Sequence, residues 1–505
     1  MRTYKGILST ITGMIFVIIT SFLKFVIIKL FILKQGNDLN GLYQLFGQVM
    51  AYLNLAEGGI GTALTFSLYK PLQEKNYKKI NDILSSAKKV YYGIGLLIFI
   101  IGVTISPFLK FFLNSNIITN NKIAFFFILY VIKTTIDYWT NITRFLLQAD
   151  QKEYILNIIS LLFRVIDVAI EYYLLILNFS LFFILLKNIF ILLLTNIFIT
   201  FKTKRNYKWL NLNADKDFSF LKNTKYTFFY SICGAIVYNT DYILLGKYRS
   251  LEEITFYANY MYIFSFLTLV LLKGIGSISS GLGNLYAEHN INKLKEVYSE
   301  LICIVFFVTS ISAIGLFFTL EDFIKIWLGK SYILDKKIFY IFILIYVHTM
   351  TRQPTGIICN SSGYFRNARI IVIIEMVMNF SISFLLVKQY GILGVLIGTI
   401  TAHIASNFWM YPKLCFNKIF NCSVWIYFKC YSYYIFISII IFILTKIIFK
   451  NIFFEITTFY LLFKKITILG IFLLISHLIV YMQIKNFRNF LLRIKNILYK
   501  KRGEE

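Results

Sequence analysis

Proline is almost missing from this chain, with four in 505 residues, and charge is sparse at 15%. Few helix breakers permit long uninterrupted helices. Sparse charge excludes a water-soluble globule, because 58% hydrophobic residues at a mean hydropathy of +0.70 exceed what a soluble core can hide. The solvent implied is a bilayer. Signatures of catalysis and metal binding are missing too. The six cysteines (Cys233, Cys303, Cys359, Cys415, Cys422 and Cys430) form no CxxC pair, which argues against zinc, redox chemistry or a disulfide scaffold. There is no HExxH, no nucleophile elbow and no interspan stretch long enough for a soluble catalytic domain. The chain is expected to be neither an enzyme nor a metal or cofactor protein. Glu57-Gly-Gly-Ile-Gly61 and Lys273-Gly-Ile-Gly276 lack the Gly-Lys-Ser/Thr of a phosphate loop and fall inside apolar runs, where glycines serve close helix packing.

What the chain has in excess is positive charge, +28 from 52 basic and 24 acidic residues. Most of it falls in alternate loops between apolar runs, as the positive-inside rule requires of a membrane protein. A nucleic-acid binder would gather it on one soluble face, and no loop is long enough to be one.

Runs near the twenty residues needed to cross about 30 Å of hydrocarbon recur throughout. They place spans at approximately 7–33, 41–67, 90–112, 122–147, 155–177, 180–201, 223–246, 254–282, 299–320, 338–360, 369–388, 391–412, 429–449 and 460–484. The first follows Arg2 and Lys5 but is too long for a signal peptide. An even count puts both ends on one side, and the basic tail after Lys485 marks that side as cytoplasmic. Two stretches mixing charged and apolar residues, Tyr69 to Lys89 and Tyr286 to Glu300, read as surface helices.

The spans form a repeat. Glu74-Lys-Asn-Tyr-Lys-Lys-Ile80 resembles Glu288-His-Asn-Ile-Asn-Lys-Leu294 at an offset of 214 residues, and Gln148 to Tyr154 loosely resembles Asn360 to Tyr364 near 212. Six crossings return the chain to its starting side, so the repeats run parallel. The expected fold is all-α and polytopic, with about fourteen transmembrane helices. It divides into a six-helix lobe (1–201), a cytoplasmic linker (202–222), a second six-helix lobe (223–412), and helices thirteen and fourteen with a basic tail (413–505).

Charge inside a span costs about 2.5–3.5 kcal/mol per residue and normally faces a bundle interior. In span four, Lys133, Asp137, Asn141, Arg144 and Gln148 keep to one helix face, within an arc of about 80°. Span five repeats the pattern with Asn157, Ser160, Arg164, Asp167 and Glu171, and span seven with Ser231, Tyr238 and Asp241. Lys24, Glu57, Lys273, Arg352, Glu375 and Asn379 add polar groups to other spans, with Lys24–Glu57 and Asp241–Lys273 as candidate charge pairs. An inner polar cavity is implied. Lys29, Lys187, Lys464 and Lys465 read instead as snorkelling or structurally paired.

With these features, Gly41-Leu-Tyr-Gln-Leu-Phe46, Glu57-Gly-Gly-Ile-Gly-Thr-Ala-Leu64, Tyr69-Lys-Pro-Leu72 and Leu147-Gln-Ala-Asp-Gln-Lys-Glu-Tyr154 resemble segments of the Wzx-type polysaccharide flippases. These belong to the multidrug/oligosaccharidyl-lipid/polysaccharide exporter superfamily. The resemblance implies two lobes around a cationic cavity that alternates between the two faces of a bacterial inner membrane and holds the pyrophosphate of an undecaprenyl-linked oligosaccharide. Lys24 and Lys273 match cationic cavity positions of the related lipid II flippases, whereas Glu57 stands where those carry a positive residue. The expected substrate-binding residues are Lys24, Lys273, Arg144, Arg164 and Arg352. Glu57, Asp137, Asp167, Asp241 and Glu375 are expected as charge partners or as carboxylates coupling transport to H+ or Na+. Polysaccharide assembly proteins are expected partners and nucleic acid is not. The competing functions are an ion-coupled multidrug exporter of the same superfamily, a membrane-embedded polysaccharide polymerase or ligase, and a scaffold subunit of an assembly complex.

Overall fold

The computed structural model describes residues 2–113, 118–276, 282–283, 285–286, 288–450 and 456–502, nearly all helical and with no strand among them. Among the described residues ten helices are long and apolar enough to cross a membrane. Span five is the continuous helix α7 (Glu153–Ile176), which stands outside that group because it carries Arg164, Asp167 and Glu171.

Span seven, also outside that group, is likewise one continuous helix, Thr224–Tyr248, and spans two, four, ten and twelve are broken. Span two is α2 (Asn37–Leu53), a tight turn over Asn54–Glu57, and α3 (Ile60–Gln73). Between the pieces Gly58 and Gly59 have φ of 54° and 77°, a left-handed pair that residues with a Cβ adopt only at a cost. Span four divides at Asn141 into α5 (Asn120–Thr140) and α6 (Thr143–Ala149). After α7 come α8 (Leu181–Asn206), α9 (Thr224–Tyr248) and α10 (Leu251–Gly276). Span ten breaks at Arg352, just ahead of Pro354, into α12 (Lys336–Thr351) and α13 (Gln353–Ser361). Span eleven is α14 (Phe365–Tyr390). Span twelve breaks at Ser406 into α15 (Ile392–Ala405) and α16 (Asn407–Leu414), followed by a π-turn. Discontinuous helices leave backbone groups unpaired at membrane depth and so belong where a polar interior can satisfy them.

The two expected surface helices are not separate elements. Tyr77 begins α4 (Tyr77–Ile105) and Ile291 begins α11 (Ile291–Trp327), each continuing without a break into the next span. Neither helix contains proline, and the polar residues that looked like surface helices are their first turns. At 37 residues α11 is about 55 Å long, well beyond the hydrocarbon thickness.

The repeat is visible in the backbone. Lys75 and His289 are both left-handed, with φ of 53° and 55°. Each precedes an asparagine N-cap, Asn76 accepting from Lys79 N and Asn290 from Lys293 N. The N–H of Asn76 reaches Pro71 O at 2.9 Å and that of Asn290 reaches Leu285 O at 3.0 Å. The second match behaves alike: Gln151 and Gly363 are left-handed, and the N–H groups of Lys152 and Tyr364 return to Leu147 O and Cys359 O. One turn chemistry is used twice.

The chain forms two compact units, residues 1–274 with 382–395 and residues 275–381 with 396–505. In the first, α1 (Arg2–Gln35) packs along α7, and α4 lies close against α5, where a Cβ at Gly102 would sit 2.6 Å from Val131. The linker is pinned to α4: Trp209 stacks on Tyr77, and Ser85 Oγ donates to Ala214 O at 2.9 Å. In the second unit, α11 is the spine for α17 (Trp425–Phe449) and α18 (Phe459–Tyr481). Buried His477 bonds Ser310 at 2.8 Å, and Lys465 pairs with Asp322 at 2.6 Å. The basic tail helix α19 (Lys485–Arg502) is clamped to α11 by Arg493, which donates two hydrogen bonds to the buried Glu300 carboxylate. That carboxylate raises the Arg493 pKa further.

Candidate functional site: a cationic cavity in the first repeat

A cavity of about 510 Å³ opens among the helices of the first repeat and runs along α1 from Phe16 to Phe31, a rise of about 22 Å. Six charged side chains line it, four of them cationic (Lys24, Lys133, Arg144 and Arg164) and two anionic (Asp167 and Glu171).

The two carboxylates are already spent. Lys187, buried on α8, donates to Asp167 Oδ1 at 2.6 Å and to Glu171 Oε2 at 2.7 Å. Arg164, one turn before Asp167 on α7, pairs with it as well. Two buried anions with two cations satisfy the condition under which ion pairs survive away from water.

None of the remaining cations forms an ion pair with a carboxylate among the described residues, although Asp167 and Asp137 act on Lys133 from beyond pairing distance. Lys24 stands 4.1 Å from the ring centroid of Tyr262, and Lys133 stands 5.6 Å from that of Tyr130, contacts in which a ring face offsets part of the charge. Arg144 donates to Asn196 Oδ1 at 2.6 Å, and its buried Nε has no partner. Asn196 in turn donates to Asp137 Oδ1 at 3.0 Å and to Thr140, so one amide holds Arg144 beside Asp137 without neutralising it directly. A cavity so lined can accept several anionic oxygens at once.

The other expected site residues lie elsewhere. Lys273 is exposed and reaches toward Gly13, about one turn beyond the Phe16 end of the cavity. Glu57 does not pair with Lys24: it sits in the break of span two and accepts from Tyr91 at 2.6 Å and Tyr138 at 3.1 Å. The wrong pairing came from related sequence positions, which do not fix the direction a side chain takes at a helix break. Asp241 accepts from Tyr257 at 2.8 Å.

Arg352 and Glu375 meet in the second unit, 3.9 Å apart, where Glu375 also accepts from Asn407 at 2.6 Å and faces His403 at 3.4 Å. This cluster gathers at the helix breaks of Arg352 and Ser406. Lys133, though part of the polar stripe of span four, was not among the expected site residues. Its signal is its register, one turn ahead of Asp137 and three turns ahead of Arg144 on the same face.

No family model matches the chain. A protein of Yersinia pseudotuberculosis to which O-antigen export is attributed is 21% identical over 418 residues, covering 78% of this chain and 92% of the relative. The lipid II flippase MurJ in an inward closed conformation superposes with a TM-score of 0.72 at 15% identity, over 94% of this chain and 99% of MurJ. An inward-facing MATE family multidrug resistance transporter superposes with a TM-score of 0.63 at 14% identity, over 77% of this chain and 93% of that one. This chain is thus an all-α, multi-pass membrane protein built on the fold of the multidrug/oligosaccharidyl-lipid/polysaccharide exporter superfamily.

Proposed function

We propose that the chain is a flippase that carries an undecaprenyl-pyrophosphate-linked oligosaccharide from the cytoplasmic to the outer leaflet of a bacterial inner membrane. The observation that carries this reading is the cavity in which Lys24, Lys133 and Arg144 form no ion pair while the lining acids are held by Lys187 and Arg164. Half-buried cations at membrane depth with no ion pair are costly, and an anionic substrate that enters and leaves removes the cost only while bound. A pyrophosphate supplies the charge and a sugar chain takes up hydrogen bonds from Gln44, Gln48 and Asn188, while the prenyl tail stays in lipid. The fold shared with a lipid II flippase and the relative attributed to O-antigen export support the same reading.

In this reading Lys24, Lys133, Arg144 and Arg164 hold the head group. Lys273 guides the substrate from one turn away, and Arg352 acts within the second repeat. Glu57, Asp137, Asp167, Asp241 and Glu375 are charge partners, with Glu375 and its histidine neighbour the best placed to couple transport to H+ or Na+. Both termini and the linker 202–222 are cytoplasmic, with lobes at 1–201 and 223–412, and polysaccharide assembly proteins receive the product. The test is delivery of lipid-linked oligosaccharide to the outer leaflet by Lys133→Gln and Arg144→Gln. Loss of delivery at normal protein abundance is expected, and normal delivery by both overturns the reading.

A further inference from the structure

The basic tail helix α19 lies where α11 passes from apolar to charged sequence. From 301 to 320 α11 carries no charge, and ahead of that stretch it carries Lys293, Lys295, Glu296 and Glu300. The tail helix covers the change. Phe487 meets Phe307 with ring centroids 5.0 Å apart, Arg493 bonds Glu300 and stands 3.5 Å from Glu296, and Leu492 and Asn496 share a groove with Lys293. A second marker of depth agrees. Trp425, 69% exposed, opens α17 about two and a half turns before Tyr434, which stacks on Tyr481 at the end of α18. Exposed indoles collect at the boundary between membrane and water.

The face of α19 turned away from α11 is unlike a solvated one. Lys485, Arg488, Leu491, Leu492 and Lys495 are all exposed and fall within an arc of about 120°, while Arg493 points the opposite way, into Glu300. From Lys485 to Arg502 the helix holds seven basic residues and no acidic one. Leu491 and Leu492, at 39% and 55% exposure, are misplaced in water, and the bases are misplaced among acyl chains. Both are satisfied together in the headgroup layer, where bases meet phosphate and leucines meet the acyl boundary.

We infer that this outward face of α19 is a binding surface for anionic phospholipid headgroups, in which Lys485, Arg488 and Lys495 take phosphates and Leu491 and Leu492 enter the acyl boundary. The surface holds whatever the cavity carries. Because Arg493 and Glu300 clamp α19 to α11, the face is in place before a lipid arrives, and little ordering is needed on binding.

The full chain, with its six cysteines replaced by alanine, carries a fluorophore at Asn496→Cys, on the edge of this face, in phosphatidylcholine nanodiscs. Phosphatidylglycerol or phosphatidylcholine bearing a spin label near the headgroup is added as quencher over a range of mole fractions. Phosphatidylglycerol should quench at far lower mole fraction than phosphatidylcholine. Lys485→Gln/Arg488→Gln/Lys495→Gln should lose about fivefold in affinity for phosphatidylglycerol per base, on the order of 100-fold in all. Lys204→Gln/Arg205→Gln/Lys208→Gln, which removes as much charge from the linker, should keep the preference. Counting phospholipids bound to the unaltered chain and to the tail variant by native mass spectrometry serves if the labelled form does not accumulate. Equal quenching by the two lipids, or a preference that survives the triple tail variant, overturns the surface. So does the absence of quenching by either lipid, which would turn the face toward a protein. A lipid preference without oligosaccharide delivery leaves the surface standing and fells the flippase reading; delivery without the preference does the reverse.

Discussion

Removing the ammonium group of Lys187 tests whether the cations of the first repeat have two different duties. In Lys187→Met the chain length is nearly kept, but Glu171 loses its cation and Asp167 retains only Arg164. Lys187 and Asp167 are almost fully enclosed, with side-chain exposures of 6% and 7%, and Glu171 is only 12% exposed. Little solvent is available to replace the lost partner. Breaking a buried pair from one side costs about 3–5 kcal/mol, a large share of a native stability of about 5–15 kcal/mol. The double variant Lys187→Met/Glu171→Gln should recover much of that loss, because the remaining Asp167–Arg164 pair is balanced. Thermal unfolding of purified protein in detergent, with membrane abundance beside it, reads the effect. Lys187→Met should be scarce and heat-labile, while Lys133→Gln, which strands no anion, should be abundant and as stable as the unaltered protein. Wild-type stability in Lys187→Met refutes the reading of Lys187 as the counter-ion that frees the cavity cations.

Gly102→Val should destabilise the α4–α5 packing by about 1–3 kcal/mol, since its Cβ would already crowd Val131 at 2.6 Å; thermal unfolding checks it. Glu57→Gln should leave the protein folded but weaken the Tyr91 and Tyr138 anchors at the break of span two, read as faster proteolysis near Gly58. Burial and then the neighbouring Glu252 carboxylate raise the pKa of Asp38, so stability present when it is protonated is lost as pH rises through its range, and Asp38→Asn should flatten that part of the pH dependence of thermal unfolding. Reporter fusions near Asn211 and at the C-terminus should both read as cytoplasmic, and periplasmic activity at either contradicts the topology.

The helices and the repeat were legible because hydropathy and turn chemistry are local. Asn76 and Asn290 cap helices in the same way because the residues around them agree. The breaks were harder to see. Gly58-Gly59 and Arg352-Gln353-Pro354 lie within runs apolar enough to read as single spans, and only the left-handed glycines and the proline at a helix start distinguish them. The stripe Arg164, Asp167, Glu171 was readable on α7, but its partner Lys187 is on another helix, and sequence spacing gives no cross-helix distance. For the same reason Lys24 was assigned to Glu57, although it faces a tyrosine ring and Glu57 takes two hydroxyls.

Transport by a cationic cavity is tested most directly in proteoliposomes holding a polyprenyl-pyrophosphate-linked oligosaccharide, with its appearance in the opposite leaflet measured for the unaltered chain and for Lys24→Gln/Lys133→Gln/Arg144→Gln. The unaltered chain should move the lipid, and the triple variant, equally folded, should not move it above protein-free vesicles. Equal movement by both proteins would contradict the assignment of these three cations to the substrate.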